Sequence, residues 1–140
     1  MKIYVASGWR NQHYPSVVAA LRDAGHVVLD WRNPAPGNHG FAWSEIDPNW
    51  QKWTIRQFRE SLNHPLAVRG FHSDFSFMQE ADVCVLLHPC GHSAHLEAGW
   101  FCGQGKPCLF LALEPIEPEL MYGLGAGILD SVADVVRVLS

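Results

Sequence analysis

The stretch Asp82-Val-Cys-Val-Leu-Leu87, followed by the turn His88-Pro-Cys-Gly-His92 and then Ser93-Ala-His-Leu-Glu-Ala-Gly-Trp-Phe-Cys102, decides the fold. An apolar run this short, with no polar residue inside it, reads as a strand covered on both faces, as in parallel sheets. The Pro- and Gly-containing turn leads into a helix from Ser93 to Cys102, with Ser93 as its N-cap. Gly103 to Lys106 form the exit, and Cys108 to Leu111 the next strand. Strand, helix and strand in so few residues make a βαβ crossover.

The same logic extends outward. Lys2 to Ala6 reads as a strand ending at Ser7-Gly8, and Val17, Val18, Leu21 and Ala24 give helical spacing over Pro15 to Ala24, with Gly25 as the cap. Val27 to Leu29 is a second strand. Toward the C-terminus, Gly127 to Leu129 reads as a short fifth strand, and Ser131 caps a last helix over Val132 to Leu139. In between lie a polar loop from 32 to 48, a helix from about Asn49 to Leu62, a break at Asn63-His64-Pro65, and a helix capped by Ser73 running to Glu80. The expectation is one α/β domain over residues 1–140, a Rossmann/flavodoxin-like doubly wound parallel sheet of four to five strands.

Composition narrows the partners. Of 140 residues, 48% are apolar and 17% charged, enough to bury a core. The formal net charge is -4 and lysine occurs only at positions 2, 52 and 106, so a polynucleotide partner is not expected. A small nucleotide needs only one or two cations or a helix N-terminus. Cys84, Cys90, Cys102 and Cys108 form no C-x-x-C pair and read as free thiols of a reducing compartment. The chain opens directly with a strand, and no apolar run approaches the roughly 20 residues of a membrane span. A cytoplasmic protein without membrane contact is expected.

Within 93–105 the only charged side chain is Glu97, amid Ala94, Leu96, Ala98, Gly99, Trp100, Phe101 and Cys102. Such a helix should be covered on most sides, leaving Glu97 at least partly enclosed. With Ser93 as N-cap, Glu97 stands at N4. It is thus no capping-box residue, and no Lys or Arg follows at 100 or 101 to pair with it. A carboxylate one turn into a helix at the carboxyl edge of a sheet faces the ligand crevice, where it can attack an anomeric carbon. Gly91 and Ser93, with the first-turn amides, suit a phosphate or hydroxyl. Asp74, at the start of its helix, is the candidate second carboxyl. Its alternative role is a favourable interaction with the helix dipole.

Two further patterns bear on ligands. Trp9-Arg10-Asn11 and Trp31-Arg32-Asn33 repeat just beyond the first two strands, offering aromatic stacking and cationic contacts. His88, Cys90, His92 and His95 are individually zinc-like ligands. Yet His92 and His95 are not the i, i+4 pair of zinc hydrolases, so neither a metal nor another cofactor is expected.

The block Asp74-Phe-Ser-Phe-Met-Gln-Glu-Ala-Asp82-Val-Cys-Val with Gly91-His-Ser93-Ala-His-Leu-Glu97-Ala-Gly99 resembles the nucleoside 2-deoxyribosyltransferase family, which includes 2'-deoxynucleoside 5'-monophosphate N-hydrolases. Ala6-Ser7-Gly8-Trp9-Arg10 is similar to that family's first binding loop. The resemblance implies a glutamate nucleophile at Glu97 and an aspartate near the glycosidic bond at Asp74. It also implies sugar or phosphate contacts from Ser7 and Ser93 beside Gly8, Trp9, Arg10 and Gly91. It further implies a small-molecule nucleoside or nucleotide substrate and a homodimer or larger homo-oligomer, with Glu119 to Tyr122 able to complete a neighbour's site. The Trp- and His-rich stretch from Asn33 to Trp53 is long for the hydrolase branch and is expected to line the base pocket. The ending Val138-Leu139-Ser140 departs from the aromatic terminus of the transferases. Rival readings are a nucleotide-sensing module without turnover, a His/Cys metal protein and, ranked lowest for want of a dinucleotide glycine fingerprint, glycohydrolase action on NAD.

Overall fold

A computed structural model describes residues 1–140. Contacts gather into two compact units, Met1–Asp30 with Glu80–Ser140, and Trp31–Gln79.

The first unit holds a five-stranded sheet in the order β2-β1-β3-β4-β5, parallel throughout, from β1 (Lys2–Ala6), β2 (Val27–Leu29), β3 (Val83–Leu87), β4 (Cys108–Leu111) and β5 (Gly127–Leu129). All five residues of β3 are buried, as an apolar run at the sheet centre requires. The register aligns Tyr4 with Cys84 and Cys84 with Cys108. The chain leaves β1 toward β2 and leaves β3 toward β4, in opposite directions across the sheet. Right-handed crossovers therefore put α1 (Tyr14–Asp23) and α4 (His92–Gly103) on opposite faces. α5 (Val132–Leu139) packs against α1 as well as β4 and β5.

Local chemistry explains the element ends. Tyr14, Val17, Val18 and Leu21 are the buried stripe of α1, and Gly25 leaves that helix at φ +93, a conformation that suits glycine. The Ser131 hydroxyl accepts from the Asp134 amide at 3.1 Å and starts α5. Lys106 donates to the Ala81 carbonyl at 2.7 Å, tying the exit of α4 to the entry of β3. The Asp82 carboxylate accepts from the Lys2 amide at 2.8 Å. All four cysteines are free thiols, and no helix is long and apolar enough to cross a membrane.

The second unit departs from expectation in two places. The segment read as one helix from about Asn49 to Leu62 is split into a single turn at Trp50–Lys52, an extended Trp53, and α2 (Ile55–Ser61). Thr54 starts α2 through a capping box: its hydroxyl accepts from Gln57 N at 3.2 Å, and Gln57 accepts from Thr54 N at 2.8 Å. α3 runs over Pro65–Glu80, beginning well before Ser73. Pro65 opens the helix because a first-turn residue needs no amide donor. Ser73 is therefore no cap, and Asp74 sits inside α3, so the first-turn dipole role lapses. Gly70 is required in α3, since a Cβ there would lie 2.8 Å from the Phe41 side chain. Phe41, Trp53 and Phe58 close around Trp43 at 4.9, 5.7 and 5.8 Å between ring centres.

Candidate active site

In an open sheet of order 2-1-3-4-5, the crevice lies at the carboxyl ends of β1 and β3, where the winding reverses. Two loops form it here: Ser7 to Asn11 after β1, and His88 to Gly91 after β3. Ser7 is buried and its hydroxyl donates to the Leu87 carbonyl at 2.9 Å, leaving only its lone pairs for a ligand. Asn11, which sequence reasoning left without a role, is 2% exposed and binds the two loops together. Its Nδ2 donates to Leu87 O at 3.3 Å and Pro89 O at 3.1 Å, while its Oδ1 accepts from His13 N at 2.8 Å. Its signal in the sequence is its place in the Trp9-Arg10-Asn11 triplet just beyond β1. Gly8 passes close to the second loop, and a Cβ on it would stand 3.9 Å from the Cys90 Cα. Trp9 and Arg10 are exposed beyond β1. Trp31, the tryptophan of the second Trp-Arg-Asn triplet, is a buried side chain with Arg32 at 5.5 Å over its ring, so it is no open stacking surface.

The start of α4 differs from expectation. Gly91 is the N-cap, in an extended conformation without a side-chain cap bond, and His92 and Ser93 are exposed first-turn residues. Glycine is itself an accepted N-cap residue, so no serine is needed at that position. Glu97 is accordingly two residues deeper than N4. The first-turn amides still have no intrahelical acceptor, by the construction of an α-helix, and suit an anion. Nor is α4 covered on most sides: Leu96 is 77% exposed.

Glu97 nevertheless belongs to the buried side. Ala94, Glu97, Ala98 and Phe101 follow the i, i+3, i+4, i+7 spacing of one helix face, and the other three members are buried against the sheet. Alanine at 94 and 98 brings that face close to the strands. The carboxylate is half-buried; burial raises the thiol pKa values of Cys84 in β3 and Cys90 in the turn, the neighbouring Cys108 adds to the first, and the negative charge of Glu97 adds a smaller push at both.

Beyond Glu97 the turn carries a second group of polar side chains. The His88–Pro89 peptide is cis. His88 is buried, and the Cys90 sulfur lies 3.9 Å from His88 Nδ1 and 3.9 Å from His95 Nδ1. His95 also bonds Gly91 O through Nδ1 at 2.8 Å and the Tyr122 hydroxyl through Nε2 at 2.9 Å. The Tyr122 ring stacks on Phe110 and His95. Tyr122 thus packs within its own chain, while Leu120 and Met121 of the same segment are exposed. Burial and the neighbouring His95 push the His88 imidazole below its ordinary pKa, and burial pushes the Cys90 thiol up to about 11.

Asp74 belongs to the second unit. Burial alone raises its carboxyl to about 6. The same unit has an open hollow of about 400 Å³, lined by residues including Asp47, Trp53, Gln57 and His64. It contains no residue singled out from the sequence as catalytic or substrate-binding.

No family model and no curated protein matches the chain. Solved structures do. A 2-deoxyribosyltransferase from Bacillus psychrosaccharolyticus superposes with a TM-score of 0.67 at 19% identity, covering 98% of this chain and 91% of its own. The CMP N-glycosidase BcmB of Clostridium botulinum gives 0.53 at 15% identity, covering 99% and 98%. A conserved protein from Enterococcus faecalis gives 0.61 at 13% identity, covering 98% and 95%. Along almost its whole length, this chain has the fold of a 2-deoxyribosyltransferase and of a CMP N-glycosidase.

Proposed function

We propose that the protein cleaves the N-glycosidic bond of a nucleoside or nucleoside 5'-monophosphate through a glycosyl ester on Glu97. The observation that carries this reading is a carboxylate on the sheet-facing stripe of α4, beside the switch-point crevice, where an alanine would pack at no electrostatic cost. The fold it shares with two enzymes named for this chemistry supports the same reading.

In the first step the ionised Glu97 attacks C1' as the base departs through an oxocarbenium-like transition state. The bond to the base breaks as the ester to Glu97 forms, and Asp74 gives a proton to the leaving base. A carboxyl near pKa 6 is protonated often enough to serve as that acid close to neutral pH. In the second step water opens the ester, or a second base does so and the outcome is transfer. Ser7, Gly8, Trp9 and Arg10 on one loop, with Gly91 and Ser93 on the other, would hold sugar, base and phosphate. The protein would work as a homodimer or larger assembly in the cytoplasm.

The test is a panel of nucleosides and 5'-monophosphates, with and without an added free base, incubated with wild type and Glu97→Ala and resolved by chromatography. Wild type should release base, and a new nucleoside in the added-base tubes identifies transfer. Glu97→Ala should fold normally and lose at least about a thousandfold in rate. Retention of one nucleotide by both proteins without any base release would replace the enzyme with a nucleotide-binding module.

A further inference from the structure

His88, Cys90 and His95 lie on three successive pieces of backbone: the end of β3, the turn after it, and the second turn position of α4. One donor atom from each falls within 4.8 Å of the other two. His92, the fourth member of the sequence cluster, is exposed at the start of α4 and outside the group.

Three features point to a ligand. Tetrahedral zinc, with bonds of about 2.0 to 2.3 Å, holds its donors roughly 3.3 to 3.8 Å apart. The 3.9 Å from the Cys90 sulfur to each imidazole is within a small side-chain adjustment of that spacing. Second, His88 is buried, yet its Nε2 has no hydrogen-bond partner and its Nδ1 meets only the weak sulfur contact. A buried imidazole is ordinarily held by a firm bond at one nitrogen or both. Third, His95 already has an outer partner. When its Nδ1 turns from Gly91 O to a cation, Nε2 carries the proton and donates it to the Tyr122 oxygen. This is the outer-shell bond that orients a ligating histidine.

We propose that His88, Cys90 and His95 form a three-donor site for a borderline divalent d-block cation, with zinc the expected occupant. The Cys90 thiol gives up its proton to solvent on binding, so one proton is released per cation. Three protein donors leave a fourth position for water or an external ligand, the pattern of open zinc sites. The cation would bind beside the crevice, and the inference does not depend on the glycosidase reading.

Cobalt(II) and zinc titrations of untagged protein test it. Wild type should bind one cobalt per chain with a thiolate-to-cobalt charge-transfer band in the near ultraviolet, displaced by one equivalent of zinc. Cys90→Ser should abolish the band, His95→Ala should weaken binding at least tenfold, and His92→Ala should change neither. Thiol alkylation of wild type, mapped by mass spectrometry, avoids any variant that fails to fold: zinc should protect Cys90 and leave Cys102 unchanged. Absence of a band, a band that survives Cys90→Ser, or equal labelling of Cys90 with and without zinc would overturn the proposal.

Discussion

At Asp74 burial acts alone, and the folded state prefers the neutral acid. The sign follows from the raised pKa. Below the ordinary value of 3.8 the acid is protonated in both folded and unfolded chains, so nothing is lost. Between there and about 6 the unfolded chain ionises first and stability falls with rising pH. Above about 6 the full penalty applies, on the order of 3 kcal/mol. Asp74→Asn should therefore stabilise the protein by up to about 3 kcal/mol at pH 7.5 and leave it unchanged at pH 3.5, as read from urea unfolding at the two pH values. An equal effect at both would show that the carboxyl does not titrate in this window. The same variant should lose base-releasing activity, and wild-type kcat should decline above pH 6 as the acid form is depleted.

At the scale of elements, legibility followed the strength of the local signal. The all-apolar β3 and the stripe of α1 were readable because one physical demand, burial, dominates every position in them. Ser131 was readable as a cap because its hydroxyl is the cap. Helix starts were missed where two signals competed. Asn63-His64-Pro65 reads as a break, yet Pro65 is the first residue of α3. Ser93 reads as a cap, yet Gly91 does that work two residues earlier. Thr54 and Gln57 are masked because Asn49 also reads as a start for the helix they cap. The histidine cluster is legible as a set of zinc-like side chains but not as a site: a strand end, a turn and a helix give no fixed spacing along the chain, so the sequence does not show that His88, Cys90 and His95 converge while His92 stays outside. One prediction belongs at this scale. Gly125, between the Tyr122 turn and β5, leaves no room for a methyl group, since its Cβ would lie 2.8 Å from Phe110 Cδ2 and 2.9 Å from Cys108 O. Gly125→Ala should cost about 1 to 3 kcal/mol and raise the accessibility of the Tyr122 ring that Phe110 supports, measured by thermal unfolding and tyrosine quenching.

For the whole molecule, the core is unevenly divided. Most fully buried apolar residues lie in the sheet unit, whereas Trp31, Ala67 and Met78 are the buried ones between 31 and 79. Opening free energy tracks buried apolar contact. Native-state amide exchange should therefore find β1, β3 and β4 protected up to the global unfolding limit, and α2 exchanging at least about a hundredfold faster. Comparable protection in α2 and β3 would mean that the two units open together. The sheet unit also contains the clasp of Ser7 and Asn11 on the Leu87 and Pro89 carbonyls. Because those bonds form as the sheet forms, the two lips of the crevice are already in register before any ligand arrives. The loss of freedom there falls on folding, so an incoming ligand has little of it left to impose and keeps more of its contact enthalpy as affinity.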